Sequence, residues 1–251
     1  MRFIELWSPT DESRLVALKT GPAATCLPNG ELLIYSEDQT CELWKDQTSR
    51  PASRPLFPVF SPTMHWLAGG AYLLSSYWFK NRNIHKYSGT EEAWTWPVRV
   101  PTKVDGQVVY QQWTGAAERR IQSTAALDDE LYFMGLNLHS YNPAADRWTN
   151  PVDGLWLGAE TLCALSQQRQ LYSTVSTTAW SLDLREGKWA KAGCLSPGRL
   201  VHRLAEVDGR LWALRGDRTE MEVLEPRMTK WLKHKRKLCQ PFSERSALVV
   251  L

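Results

Sequence analysis

The sequence predicts an all-β protein, a β-propeller of four-stranded blades. Three observations carry the prediction. A tryptophan recurs at a fixed distance after the end of a strand, a turn followed by an apolar pair recurs in phase with it, and nothing in the chain sustains a helical period. The chain has 251 residues, enough to bury a sizeable core in one domain. Its 13 tryptophans suit half-buried strands, where bulky rings cover area at low entropic cost.

The tryptophan signal comes first. Tyr87 is followed by Trp94 and Tyr141 by Trp148; Leu182 is followed by Trp189 and Leu224 by Trp231. Between the members lie the polar stretches "SGTEEA", "NPAADR", "DLREGK" and "EPRMTK". Asn-Pro and Glu-Pro favour turns, and Gly187 permits one. Each stretch therefore reads as a c–d hairpin with an aromatic near the start of its second strand.

The second signal is "NGELL" at Asn29, "GGAYL" at Gly69, "DDELY" at Asp128, "QRQLY" at Gln168 and "DGRLW" at Asp208. Aligned copies begin at residues 30, 70, 129, 169 and 209, at intervals of 40, 59, 40 and 40. Each is an a–b turn leading into strand b. Short apolar runs upstream, such as "STAAL", "TLCAL" and "HRLAEV", supply strand a. Four short strands per unit, repeated around a ring, define a propeller.

Five units are complete, spanning approximately residues 21–57, 58–117, 118–153, 154–197 and 198–243. A sixth is expected to be split between 1–20 and 244–251. "ERSALVVL" reads as its strand a, "IELWSPTDE" as strand c with its turn and "SRLVAL" as strand d, so that only strand b is lacking. The expected total is six blades. Joining the ends in this way removes open sheet edges.

The order of apolar strand, Asp-Gly, Leu-aromatic, Tyr-x-Pro and Trp resembles the kelch repeat. The fit is best at "VHRLAEVDGRLWALRG" (201–216) and "YNPAADRW" (141–148). The resemblance is divergent: where kelch repeats carry Gly-Gly after strand b, only single glycines remain, in two copies. It implies a protein-interaction module, and specifically the substrate-recognition part of a ubiquitin-ligase adaptor. Cullin recruitment would then require a BTB domain, which these residues do not include. An actin- or cytoskeleton-binding kelch protein is the alternative, and a kelch-type copper oxidase a third reading.

Strand direction assigns the recognition face. The a–b and c–d turns are short and share one face; the long connections are of the b–c and d–a type and share the other. They are "SSYWFKNRN" (75–83), the insertion 97–119 and "KHKRKLCQPFSE" (233–244). Loops on a rigid scaffold are where binding is usually placed. Tyr77, Trp78, Lys80 and Arg82 match interface composition, the other reading being that Tyr77 and Phe79 simply pack between blades. Lys233, Lys235 and Arg236 form the strongest charge run. It suits a solvated loop, a contact for an acidic partner or a nuclear localisation signal. Trp113, Asn137, Arg215 and Arg218 complete the predicted partner-binding set. Within the insertion, "VDGQVVYQQW" is either an extra hairpin over the central channel or part of a blade.

Other function classes find little support. Net charge is +3 with no basic stripe, which argues against nucleic acid. No apolar run approaches a membrane span, and the Met1 end lacks a signal-peptide core. Five scattered cysteines without C-x-x-C suit a reduced compartment, so the expected location is cytoplasmic, with the nucleus as the alternative. No hydrolase, P-loop, dinucleotide or metal motif occurs. His202 is expected to be a structural histidine of strand a. No catalytic residue, metal or cofactor is expected.

Overall fold

The computed structural model describes residues 4–7, 15–18, 23–36, 38–46, 48–55, 59, 62–75, 83–99, 102–104, 107–109, 123–134, 138–152, 161–196, 201–215, 219–225, 230–237 and 247–250. Near the start, β1 (Ile4–Trp7) and β2 (Leu15–Leu18) form a hairpin. The first blade is β3 (Ala23–Cys26), β4 (Leu32–Tyr35), β5 (Cys41–Lys45) and β6 (Thr48–Ala52). The second is β7 (Pro62–Leu67), β8 (Gly70–Ser75), β9 (Asn83–Ser88) and β10 (Ala93–Arg99). A separate two-stranded sheet follows, β11 (Thr102–Val104) with β12 (Gln107–Val109).

The third blade is β13 (Ser123–Leu127), β14 (Glu130–Met134), β15 (Leu138–Asn142) and β16 (Arg147–Val152). The fourth is β17 (Thr161–Leu165), β18 (Gln170–Val175), β19 (Thr178–Asp183) and β20 (Lys188–Cys194). The fifth is β21 (Val201–Val207), β22 (Arg210–Arg215), β23 (Glu220–Glu225) and β24 (Lys230–Lys237), and β25 (Ala247–Val250) ends the series. Each blade is an antiparallel meander in chain order.

The expected count of six blades is corrected: the described residues form five four-stranded blades. The terminal segments form a three-stranded sheet instead, in the order β1-β2-β25, with β25 beside β21 and β3. The strand assignment within it also changes. β2 was expected as strand d, yet it pairs directly with β25, from Leu15↔Val250 to Leu18↔Ala247. A vacant b position would leave two facing rows of backbone groups unpaired, which folded proteins avoid. Strands b and d run in the same direction, so the hairpin moves inward without reversing.

The turns follow the predicted chemistry. Leu67↔Gly70, Leu127↔Glu130 and Val207↔Arg210 close two-residue a–b turns. Their central residues have positive φ: 45° and 74° at Ala68 and Gly69, 50° and 61° at Asp128 and Asp129, 53° and 67° at Asp208 and Gly209. That is the twist-matched geometry for which Asp-Gly is favoured. Gly209, at φ 67°, takes without strain a backbone conformation that L side chains rarely adopt.

The c–d hairpins hold the expected register: Tyr87↔Trp94, Tyr141↔Trp148, Leu182↔Trp189 and Leu224↔Trp231. Tyr141 and Trp148 pack with ring centroids 4.9 Å apart, and Tyr87 and Trp94 at 5.2 Å. The first blade departs from this pattern. Leu43 faces Arg50, and Arg50 reaches out to Glu92 of the second blade through two 2.7 Å hydrogen bonds.

The core lies between blades. Leu33, Tyr35 and Leu43 of the first blade pack with Leu73, Tyr87 and Trp94 of the second. Tyr132, Met134 and Leu138 of the third pack with Leu162, Leu171 and Leu182 of the fourth. Alternating apolar residues on each strand thus serve two neighbouring blades. Of the two readings of the insertion, the separate hairpin is the one observed.

Candidate functional site at the ring centre

The innermost strands of the five blades, β3, β7, β13, β17 and β21, surround a cavity of about 330 Å³. Its wall is mostly small: Ala23, Ala24, Ala125, Ala126, Ala164 and Ala205. Strand a approaches the axis more closely than any other strand of a blade, and only short side chains leave space there. Against that background the polar groups stand out: Thr63 and His65 on β7, Ser123 and Thr124 on β13, Cys163 on β17, and Arg203 and Glu206 on β21.

Two blades share one hydrogen-bond network. Thr124 Oγ1 lies 2.8 Å from His65 Nε2 and 2.7 Å from Thr63 Oγ1. Ser123 Oγ accepts a 2.7 Å bond from the Leu162 N–H, so a hydroxyl of the third blade satisfies a buried amide on the inner edge of the fourth. His65 borders the cavity and is partly buried. Burial first, and the positive charge of Arg203 second, bring its pKa down to about 4. It is therefore neutral at pH 7 and can donate or accept.

Arg203 is the cation of the site. Burial lowers its pKa, but a guanidinium stays protonated at any ordinary pH. Among the described residues no carboxylate forms an ion pair with it. Glu206, the acid on the wall, is engaged elsewhere: its Oε2 accepts from the Ser166 N–H at 3.0 Å and the Ser166 hydroxyl at 2.8 Å. The Cys163 thiol is pushed up to about 12, chiefly by burial, and stays protonated at neutral pH. Among the described residues no group of three or more His, Cys, Asp or Glu is arranged to hold a metal.

The sequence-predicted contact residues fare differently. Tyr77, Trp78, Lys80, Arg82, Trp113, Asn137 and Arg218 lie outside the described residues. Arg215 is the last residue of β22, at its b–c end. Lys233, Lys235 and Arg236 were expected in a d–a loop, and that expectation is corrected: all three belong to β24, the outermost strand of the fifth blade. Charge on an outermost strand blunts edge-to-edge pairing, which accounts for the run without a loop. Lys233 is exposed and lies 4.0 Å from Glu220.

Thr63, His65, Thr124 and Arg203 were not singled out from sequence. A signal was present. Counted back from the last residue of strand a, the fourth position reads Thr63, Ser123, Thr161 and Arg203, and the arginine is the outlier.

Five four-stranded blades around a central cavity define a β-propeller. Solved structures agree on the fold. The structure of YjhT is 12% identical, with a TM-score of 0.65, over 88% of this chain and 85% of that one. A nidogen/laminin complex gives 9% identity and a TM-score of 0.62, covering 91% of this chain and 83% of its own. The extracellular domain of the one-component system BT4673 of B. thetaiotaomicron gives 10% and 0.61, over 96% of this chain and 35% of that chain. No protein-family model matches the sequence, and no curated protein matches it.

Proposed function

We infer that the chain is a divergent kelch-type propeller acting as a non-catalytic protein-interaction module, in the setting of a ubiquitin-ligase adaptor. One observation carries this reading, the unequal distribution of connections. The a–b turns are as short as residues 68–69, 128–129 and 208–209, whereas the d–a connections span 53–61, 100–122, 153–160, 195–200 and 238–246. Because neighbouring strands are antiparallel, every d–a segment emerges on the face opposite the tight turns. β8 ends and β9 begins on that face too, and the sequence between them carries Tyr77, Trp78, Lys80 and Arg82. A propeller that gathers its longest connections on one face is suited to docking a protein or acidic peptide.

The test compares proteins captured by the immobilised wild-type chain with those captured by a Trp78→Ala, Arg82→Ala variant. An Arg185→Ala, Glu186→Ala variant on the tight-turn face serves as control. Partners should be lost from the first variant and kept by the control. Retention of all partners by the first variant overturns the face assignment, and sedimentation with F-actin would move the chain to the cytoskeletal class.

A further inference from the structure

We propose that the ring centre binds a small monocarboxylate, with Arg203 holding the carboxylate and Thr63, Thr124 and His65 meeting the polar groups of the remaining ligand. This goes beyond docking on the loop face and does not depend on it.

Size, charge and position agree. At about 330 Å³ the cavity lies at the lower end of the roughly 300–1,000 Å³ range of small-molecule sites. Among the described residues Arg203 has no ion-pair partner, and a partly buried cation is costly unless an anion offsets it. Guanidinium and carboxylate match as two parallel hydrogen bonds, which gives the site a preferred headgroup as well as a preferred sign.

The charge count disfavours a dianion. Arg203 is one positive charge, His65 is neutral, and Glu206 borders the same cavity at the turn end of β21. A phosphate or sulfate dianion would leave negative charge uncompensated beside that carboxylate. The Thr63–Thr124–His65 network carries no formal charge, and each member can donate or accept, which suits a hydroxyl or amide. The alanines leave room for an apolar stem.

Position gives the direction of entry. Thr63, Ser123 and Arg203 each stand four residues before the last residue of their strand a. They share one level of the ring, near the end where strand a begins, on the side of the d–a connections. The ligand therefore enters from the long-connection face and presents its carboxylate near the mouth, with His65 one level deeper.

The experiment uses the full chain and carbon-13-labelled acetate and L-lactate at millimolar concentration, followed by ligand NMR, with phosphate and chloride as competitors. Both acids should bind, lactate more tightly than acetate through its hydroxyl, and phosphate and chloride should compete poorly. Arg203→Gln should weaken both acids at least about tenfold, the loss expected for one charge-assisted pair. Thr124→Val should weaken lactate more than acetate. Should Arg203→Gln fail to fold, Arg203→Lys supplies the reading, because it keeps the charge but loses the paired geometry and must still weaken both acids. Absence of carboxylate binding, phosphate competing as well as acetate, or affinities unchanged in the folded variants would each overturn the proposal.

Discussion

Two histidines give the molecule its clearest acid response. His65 and His85 are both brought down to about 4, each chiefly by burial, against an ordinary value of 6.5. The folded pKa is below the unfolded one, so the unfolded chain binds protons more readily. Their contribution to stability is complete above about pH 6.5 and is lost as pH falls towards 4. Between them the loss should be on the order of a few kcal/mol. Urea unfolding from pH 7 to 5, a window above most carboxylate titrations, should show a falling midpoint. His65→Gln should flatten that fall, and an unchanged slope would remove His65 as its source. Arg203 contributes as the second cause at His65, which makes the two residues electrostatic neighbours as well as fellow members of one wall.

At the level of the strand pair, the tryptophan is the seam between c and d. Trp94 is buried, packs on Tyr87, and donates its Nε1–H to the Ser53 carbonyl at 2.8 Å, joining the second blade to the chain leaving the first. Trp94→Ala should cost about 3–5 kcal/mol. Trp189 is only partly buried, so Trp189→Ala should cost visibly less. Comparing the two denaturation midpoints checks the ranking. These hairpins were legible because both partners lie close in sequence and the turn between them fixes their register. The a–b turns were legible for the same reason, through Asp-Gly and Gly-Gly. The ring-centre site was not. Thr124 meets His65 across two blades, and Arg203 joins them from a third, so no local spacing encodes their meeting. The basic run at Lys233 misled because charge density is read as loop, whereas an outermost strand tolerates it. Arg50 escaped notice because a charged residue there reaches a neighbouring blade instead of packing on its own.

Across the whole ring, stability depends on how the last gap is filled. β25 lies between β21 and β3 and carries β2 on its ladder. Removing residues 247–250 would leave β2 paired only with β1 and expose inner-strand edges on both sides. A fall in melting temperature of about 5–10 °C is expected, at roughly 2–4 °C per kcal/mol for a domain of this size. Scanning calorimetry decides it, and a transition that does not move would mean the five blades hold themselves. The same pairing sets a timetable. Residues 15–18 leave the ribosome long before residues 247–250, and at about 5–20 residues per second the interval is roughly 10–50 s. Throughout that time one side of β2 has no partner strand, while the blades between are made and stacked in order. Because β1 covers only the opposite side of β2, that edge stays open to a chaperone or to another chain until β25 arrives.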